Sequence, residues 1–369
     1  MPLNQIRVKG YKSIRDLDLN LSSLNVLIGA NGAGKSNFVS LFKLLNNIIE
    51  SNLQRYVMQE GGSESLLYYG QKFTDKIQIY LKFNLNDIFY NAYHCILAPT
   101  VDDRLIFEEE NCLFHHYAYD RPYTDGLGSG HVESNLMESS KYKKVAAHVF
   151  DSLKSWKVYH FHDTSDTARV KRIGSINDNQ YLRPDASNLA AYLYLLKNTK
   201  EEYYSAIRDT IRLVNPFFDD FLLRPIPGNE DYIRLEWLER GSDYPFLAHH
   251  ISDGTLRFMC LATLLLQPEL PSTILVDEPE LGLHPYAIVV LASLMKSASQ
   301  RTQIIVSTQS VSLVNQFDAE NLLIVERDET RGMYETVITR VDPTRLSSWL
   351  EDYSLGELWE KNVLGGRPQ

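Results

Sequence analysis

The segment Gly29-Ala30-Asn31-Gly32-Ala33-Gly34-Lys35-Ser36 carries the most specific chemistry in the chain. Its spacing, G-x-x-x-x-G-K-[ST], is that of a phosphate-binding loop. Glycines let the backbone wrap an anion without Cβ clashes. Successive N–H groups then face inward, and a helix opening near Lys35 adds the positive end of its dipole. Lys35 is expected to reach the β- and γ-phosphates and the Ser36 hydroxyl to ligate Mg²⁺. The predicted nucleotide contacts are Gly29, Ala30, Asn31, Gly32, Ala33, Gly34, Lys35, Ser36 and Asn37. The flanks agree: residues 24–28 read as a buried strand, and Phe38, Leu41, Leu44, Leu45 and Ile48 recur at helical spacing.

A second group is Thr273-Ile274-Leu275-Val276-Asp277-Glu278-Pro279, an apolar strand ending in two carboxylates. The C-terminal ends of strands are where α/β sheets place ligands. Asp277 is expected to hold Mg²⁺, directly or through water, and Glu278 to position and polarise an attacking water. A third group is Ser252-Asp253-Gly254-Thr255, some twenty residues earlier. Ser252 suits the N-cap of the apolar helix that follows. Gly254 leaves room for a ligand to approach the backbone, so this turn is another anion site. One chain has no use for two γ-phosphate sites on different helices. Two copies arranged head-to-tail do, each reading the nucleotide held by the other.

These groups need a framework. Residues 6–8 and 17–21 alternate as strands, and more strands follow over 66–98, such as 77–83. Residues 106–145 read as irregular, with Gly126, Gly128 and Gly130 marking an exposed loop. Residues 156–161 read as a strand, 186–196 and 201–214 as helices, and 234–238 as a strand. From 251 a helix (256–266), a strand (274–276), a helix (286–299) and a strand (304–306) alternate, the pattern of parallel pairing with crossover helices. Residues 320–340 return to strands, and Gly365 to Gln369 read as a loose tail.

A net charge of −10 excludes a generic nucleic-acid binder. Contact with DNA falls to a partner or to a local basic patch: Lys141, Lys143 and Lys144 with Lys154 and Lys157, or Arg169, Lys171 and Arg172. Both patches also read as ordinary solvated surface. Cys95, Cys112 and Cys260 form no C-x-x-C pair and read as buried thiols. His160 and His162 share one face of a strand without a visible third metal ligand. The N-terminus lacks a leader pattern, and the longest apolar run, 258–266, is short for a membrane span. A cytoplasmic protein without a membrane partner is expected.

The order of phosphate loop, long insert, Ile251-Ser252-Asp253-Gly254-Thr255 and Asp277-Glu278-Pro279-Glu280 resembles the RecF/SMC/OLD branch of ABC-type ATPases. So do Val8-Lys9-Gly10-Tyr11-Lys12-Ser13-Ile14 and Glu280-Leu281-Gly282-Leu283-His284-Pro285. The endings Ser354-Leu355-Gly356-Glu357-Leu358-Trp359 and Gly365-Gly366-Arg367-Pro368 look like those of stand-alone "predicted ATPases" that lack a TOPRIM domain. The likeness covers residues 1–50 and 245–325. It implies an α/β P-loop NTPase fold: an ABC-type ATPase head with an N-terminal antiparallel sheet portion and an inserted helical lobe. Expected boundaries are 1–105 and 249–345 for the two halves of the core, 106–248 for the insert and 346–369 for a tail.

The resemblance further implies ATP and Mg²⁺ as ligands and a homodimer as the working form. Gly282, Leu283 and His284 match the D-loop that couples two sites. Residues 305–310 match the switch strand, with Gln309 where most relatives carry His. Glutamine can donate to a phosphate oxygen but cannot take up a proton, so hydrolysis is expected to be slow or partner-tuned. The catalytic set is then Glu278, Lys35 and Gln309. Gln71 and Gln78 both stand as Q-loop candidates. The insert is too short, and lacks the heptads, for an SMC coiled coil. The output is expected to pass to a DNA-directed process or a separately encoded effector such as a nuclease, with defence against phage a common setting. Two other readings stand beside it. One is a nucleotide-sensing scaffold that barely hydrolyses. The other is an OLD-like nuclease, hinted at by Glu326 and Asp328 but lacking a later D-x-D. A transporter subunit is disfavoured by the long insert and the N-terminal strands.

Overall fold

In the computed structural model, residues 2–366 are described, apart from 85, 87 and 331. Strands β1 (Gln5–Tyr11), β2 (Ile14–Asn20) and β3 (Leu24–Ile28) lead into α1 (Lys35–Ile49), then α2 (Leu53–Gln59) and α3 (Ser63–Leu66). Next come β4 (Ile77–Asn84), β5 (Phe89–Pro99), β6 (Leu105–His116), β7 (Tyr123–Gly128), α4 (Leu136–Ser139), α5 (Lys144–Lys154) and β8 (Trp156–Tyr159). The middle holds β9 (Gly174–Ser175), α6 (Leu189–Thr199), α7 (Glu201–Val214), β10 (Phe218–Phe221), β11 (Pro225–Ile226), β12 (Asn229–Ile233), β13 (Glu236–Glu239) and β14 (Phe246–Leu247). The last part is α8 (Asp253–Leu266), β15 (Thr273–Asp277), α9 (Pro285–Ala298), β16 (Gln303–Thr308), α10 (Val311–Val314), β17 (Leu322–Thr330), β18 (Met333–Arg340) and α11 (Leu355–Glu360).

Two six-stranded sheets organise the molecule. One is antiparallel, in the order β2-β1-β4-β5-β6-β7; the other is mixed, in the order β18-β17-β3-β16-β15-β8. The strands β17, β3, β16, β15 and β8 run parallel, with β8 at one edge and β18 antiparallel at the other. The mixed sheet is buried on both faces. Leu27, Leu275, Ile305 and Leu323 pack with Phe38, Phe42 and Leu45 of α1 and with the antiparallel sheet. Val26, Val276, Val306 and Ile324 pack instead with Leu193 of α6, Ile207 of α7, Phe258 of α8 and Leu291 of α9. Burial on both faces is why these strands read as unbroken apolar runs. The helical residues of the insert thus roof the sheet on the face opposite α1.

Several expectations need correction. Residues 106–145 are not irregular: β6 and β7 extend the antiparallel sheet, with β6 paired along β5 from His116 to Leu105. Gly126 and Gly128 therefore belong to a strand rather than a loop. Register shifts at Ile96/Leu97 and Glu110/Asn111 break the two-residue alternation that would have revealed these strands. The acidic run Glu108-Glu109-Glu110 also disguises a core position. Glu110 is fully buried, accepting hydrogen bonds from Tyr93 Oη (2.6 Å), His131 Nε2 (2.9 Å), Asn135 N (3.0 Å) and the Ser134 hydroxyl. The antiparallel sheet thus continues past residue 105, and β8, within the expected insert, pairs with β15 in the mixed sheet.

The C-terminus also departs from a loose tail. Leu355, Leu358 and Trp359 of α11 join the main core, and Gly365 and Gly366 are packed. Residues 367–369 lie outside the described residues. His160 and His162 sit just beyond β8 rather than within a strand. The three cysteines are buried, as expected, and no described helix is long and apolar enough to cross a membrane.

The buried Glu110 gives a test of the β5–β7 region. Glu110→Ala leaves three side-chain donors and a backbone N–H without their acceptor. It should cost about 3 kcal/mol, read as a lower urea midpoint.

Candidate active site

The parallel register sets the site. Along β16, Val306 lies opposite Val26 on one side and Val276 on the other. Further on, Thr308 pairs with Ile28 and Ser307 with Asp277. Gly29, Glu278 and Gln309 therefore leave the sheet at the same edge. Between them lies a cavity of about 170 Å³, lined on one side by Ala30 to Gly32 and Gly34 to Asn37. Asp277, Glu278, Ser307 and Gln309 line the other side. Ser36 is exposed there, and Ala33 is buried behind the loop.

The loop's shape is held from outside. Gly34 has φ 116°, and a Cβ there would fall 2.0 Å from Thr336 Oγ1. Thr336 Oγ1 donates to Ala33 O (3.0 Å) and is bonded to Ser13 Oγ (2.7 Å), which accepts from Asn37 Nδ2 (2.6 Å). Gly29 passes so close to β17 that a Cβ would meet Val325 O at 2.2 Å. No side chain caps α1 at Gly34 and its first turn holds no acid. Its first N–H groups thus remain available to an anion.

Lys35 is buried, its Nζ donating to Gly29 O (2.5 Å) and Ala30 O (3.1 Å). Burial lowers its pKa, opposed by Glu278, Asp277 and Glu280. Glu278 has φ 41°, an uncommon left-handed backbone for a non-glycine residue. Its N–H donates to Ser307 O (2.7 Å), and its carboxylate accepts from Gln309 Nε2. The expected switch residue thus holds the expected water-positioning residue directly. Glu280 is buried behind them, accepting from the Thr308 hydroxyl and from Gln309 N (3.4 Å). Burial raises its pKa.

The third group behaves as the N-cap reading predicts: Ser252 Oγ accepts from Thr255 N (3.3 Å) at the start of α8. Ser252, Asp253, Gly254 and Thr255 take no part in lining the cavity of their own chain. Gly254 instead abuts the 281–285 loop, where a Cβ would lie 2.1 Å from Gly282 O. Leu283 N donates to Glu280 O (3.0 Å), and His284 Nδ1 accepts from Tyr286 N (3.3 Å), capping α9. Arg257 ties α8 to its surroundings by donating to Phe161 O (2.9 Å), His162 O (3.3 Å) and Leu281 O. His162 Nε2 in turn donates to Asp277 O (2.7 Å).

Thr336 and Arg257 escaped the sequence analysis, and His162, noted there only as a neighbour of His160, was given no role at Asp277, since nothing in the local sequence marks these contacts. Neither Q-loop candidate reaches the cavity: Gln71 bonds Ser63 Oγ (3.3 Å), and Gln78 lies in β4 beside Lys9. The basic patches are largely partnered. Lys141 pairs with Glu138, Lys154 with Asp151 and Arg169 with Asp185, while Lys143 donates to Gly126 O. Among the described residues no cluster of three or more His, Cys, Asp or Glu could hold a metal.

A family model described as "AAA domain, putative AbiEii toxin, Type IV TA system" matches residues 128–315, half of the chain. The chain belongs to that family. A second model, "AAA ATPase domain", matches residues 1–167 of this AAA-domain protein. Among solved structures it is similar to an Smc head bound to the C-winged helix domain of ScpA, with TM-score 0.62 and 16% identity over 94% of this chain and 99% of that one. It is also similar to an Smc head with an extended coiled coil bound to the C-terminal domain of ScpA, derived from Pyrococcus furiosus. That match has TM-score 0.50 and 16% identity over 95% and 98% of the two chains. At such identities the likeness is one of fold, that of an SMC-type P-loop ATPase head. No curated protein matches the AAA-domain chain.

Two outcomes follow from this geometry. Gly254→Ala drives a methyl into Gly282 O and should cost about 1–3 kcal/mol, read as a lower denaturation midpoint. An unchanged midpoint would mean the two loops are apart in solution. His160 is held neutral by burial, with Lys43 and His162 adding to the effect, so its pKa falls from 6.5 to about 4. The folded state then binds fewer protons than the unfolded chain between these values. His160 therefore contributes stability that is complete above the unfolded value and is lost as pH falls toward the folded one. Thermal melts at about pH 7 and about pH 5 should show a smaller drop for His160→Leu than for wild type.

Proposed function

We propose that the protein binds ATP with Mg²⁺ in this cavity and that two copies close head-to-tail around two nucleotides. The observation that carries the reading is the cavity itself. The phosphate loop and the Asp277-Glu278 pair face each other across it, with Gln309 bonded to Glu278. The Ser36 hydroxyl and the Asp277 carboxylate line it as hard oxygen donors, the set that suits magnesium. A metal held there would screen the phosphate charge. The amides of residues 32–36 and the Lys35 ammonium would take the phosphates, Lys35 exchanging its present carbonyl partners for phosphate oxygens. Glu278 would orient the attacking water.

The head-to-tail part rests on Ser252 to Thr255. They form a capped, small-residue helix start that lies outside the chain's own cavity and touches the 281–285 loop through Gly254. A partner's γ-phosphate would satisfy that turn, and Gly282, Leu283 and His284 would carry the contact back to Glu280 and Glu278. Gln309 favours slow turnover, because an amide can hold Glu278 but cannot relay a proton. Nucleotide-dependent closure is then the main output, passed to a DNA-directed process or to a separately encoded effector such as a nuclease. A defence setting accords with the toxin named in the family description.

With ATP and Mg²⁺, Glu278→Gln should accumulate a species near twice the 42.4 kDa chain mass in light scattering. Lys35→Ala should fail to bind nucleotide. A Glu278→Gln protein that stays monomeric at saturating ATP defeats the closure. Gln309→His should raise steady-state turnover by about 10-fold or more if proton relay is what the glutamine lacks.

A further inference from the structure

The C-terminal segment meets the phosphate loop at a point that the reading above does not use. Gly366 N donates to Glu326 Oε1 (2.7 Å), and Gly366 O accepts from Ala30 N (2.7 Å). The pair is shaped for this seat. Gly365 and Gly366 have φ 86° and 83°, and a Cβ on Gly365 would lie 2.6 Å from Glu326 Oε1. A Cβ on Gly366 would come within 3.4 Å of the Gly29 Cα. The same segment is fastened at its other end. Gly356 N donates to Asn315 Oδ1 (2.6 Å), and a Cβ on Gly356 would meet Val311 Cγ1 at 2.5 Å. Val311 opens α10, two residues after Gln309.

Residues 355–366 thus span the gap between the two lips of the nucleotide cavity, Ala30 on one side and the α10 turn behind Gln309 on the other. Trp359 and Glu360 line a second cavity of about 320 Å³ that shares Ala30, Asn31 and Gln309 with the first. The indole N–H of Trp359 is buried there without a partner, beside Gly366.

We infer that this segment is a positioning element of the nucleotide site: the relay from Glu326 through Gly366 to Ala30 sets the first turn of the phosphate loop for the terminal phosphate of a nucleoside triphosphate. The inference rests on the nucleotide reading of the cavity. An unbraced loop would have to be ordered by the ligand, at the expense of affinity. The loss falls on the triphosphate more than on the diphosphate, because Ala30 and Asn31 stand opposite Gln309 and Glu278.

The test uses the full chain and fluorescent analogues of ATP and ADP. Glu326→Ala removes the acceptor, whereas Glu326→Gln keeps a carbonyl oxygen in its place. Gly365→Val unseats the segment by a clash and a disfavoured backbone. Glu326→Ala and Gly365→Val should weaken ATP binding about 5-fold, the weight of one modest hydrogen bond, with ADP binding changed less. Glu326→Gln should stay near wild type. Equal ATP affinity in wild type and Glu326→Ala overturns the inference, as does equal weakening by Glu326→Gln, or equal loss for ATP and ADP. Wild-type protein that binds neither analogue sinks the nucleotide site, and this relay with it.

Discussion

The register among β3, β16 and β15 is the constraint on which everything else depends. Parallel pairing fixes which residues leave the sheet together, and here it delivers Gly29, Glu278 and Gln309 to one edge. A slip of one residue in any of the three strands would turn its apolar residues to the wrong layer, since both faces are buried. Val26, Val276 and Val306 would then exchange places with Leu27, Leu275 and Ile305, and two cores would be lost at once. The alignment of the site is therefore secured by hydrophobic burial in residues that do no chemistry.

Within that frame the site is polar and strained. Glu278 holds a left-handed backbone while its N–H is pinned to Ser307 O and its carboxylate to Gln309. Glu280 stays buried beneath, keeping the end of β16 in place through Thr308. Opposite them Lys35 is turned in upon the carbonyls of its own loop. The acids raise its affinity for a proton while burial lowers it. An incoming polyphosphate would offer Lys35 a stronger partner than a neutral carbonyl.

The candidate site residues were legible in the sequence because each motif is local. The phosphate loop, the Asp277-Glu278 pair and the Ser252 cap are defined by neighbours within ten positions, and the apolar runs around them gave the parallel core. What was illegible has a common cause. Thr336, Arg257, His162 and Glu326 act on residues far away in sequence, and nothing in their own surroundings announces it. The strands β6 and β7 were hidden for a second reason: bulges and a buried glutamate spoil the alternation on which strand recognition rests. Gln71 and Gln78 lie away from the cavity: residue type without placement carries little information.

Thr336 donates to Ala33 across 303 positions, and β17 supplies Val325 as the wall behind Gly29. The loop near the start of the chain thus takes its contour from a hairpin made near the other end. During translation Ala33 leaves the ribosome 303 residues ahead of Thr336, so the glycine-rich turn lacks its support until β18 follows. A nascent chain stalled before β18 would carry the complete phosphate motif and yet have no finished mould for an anion.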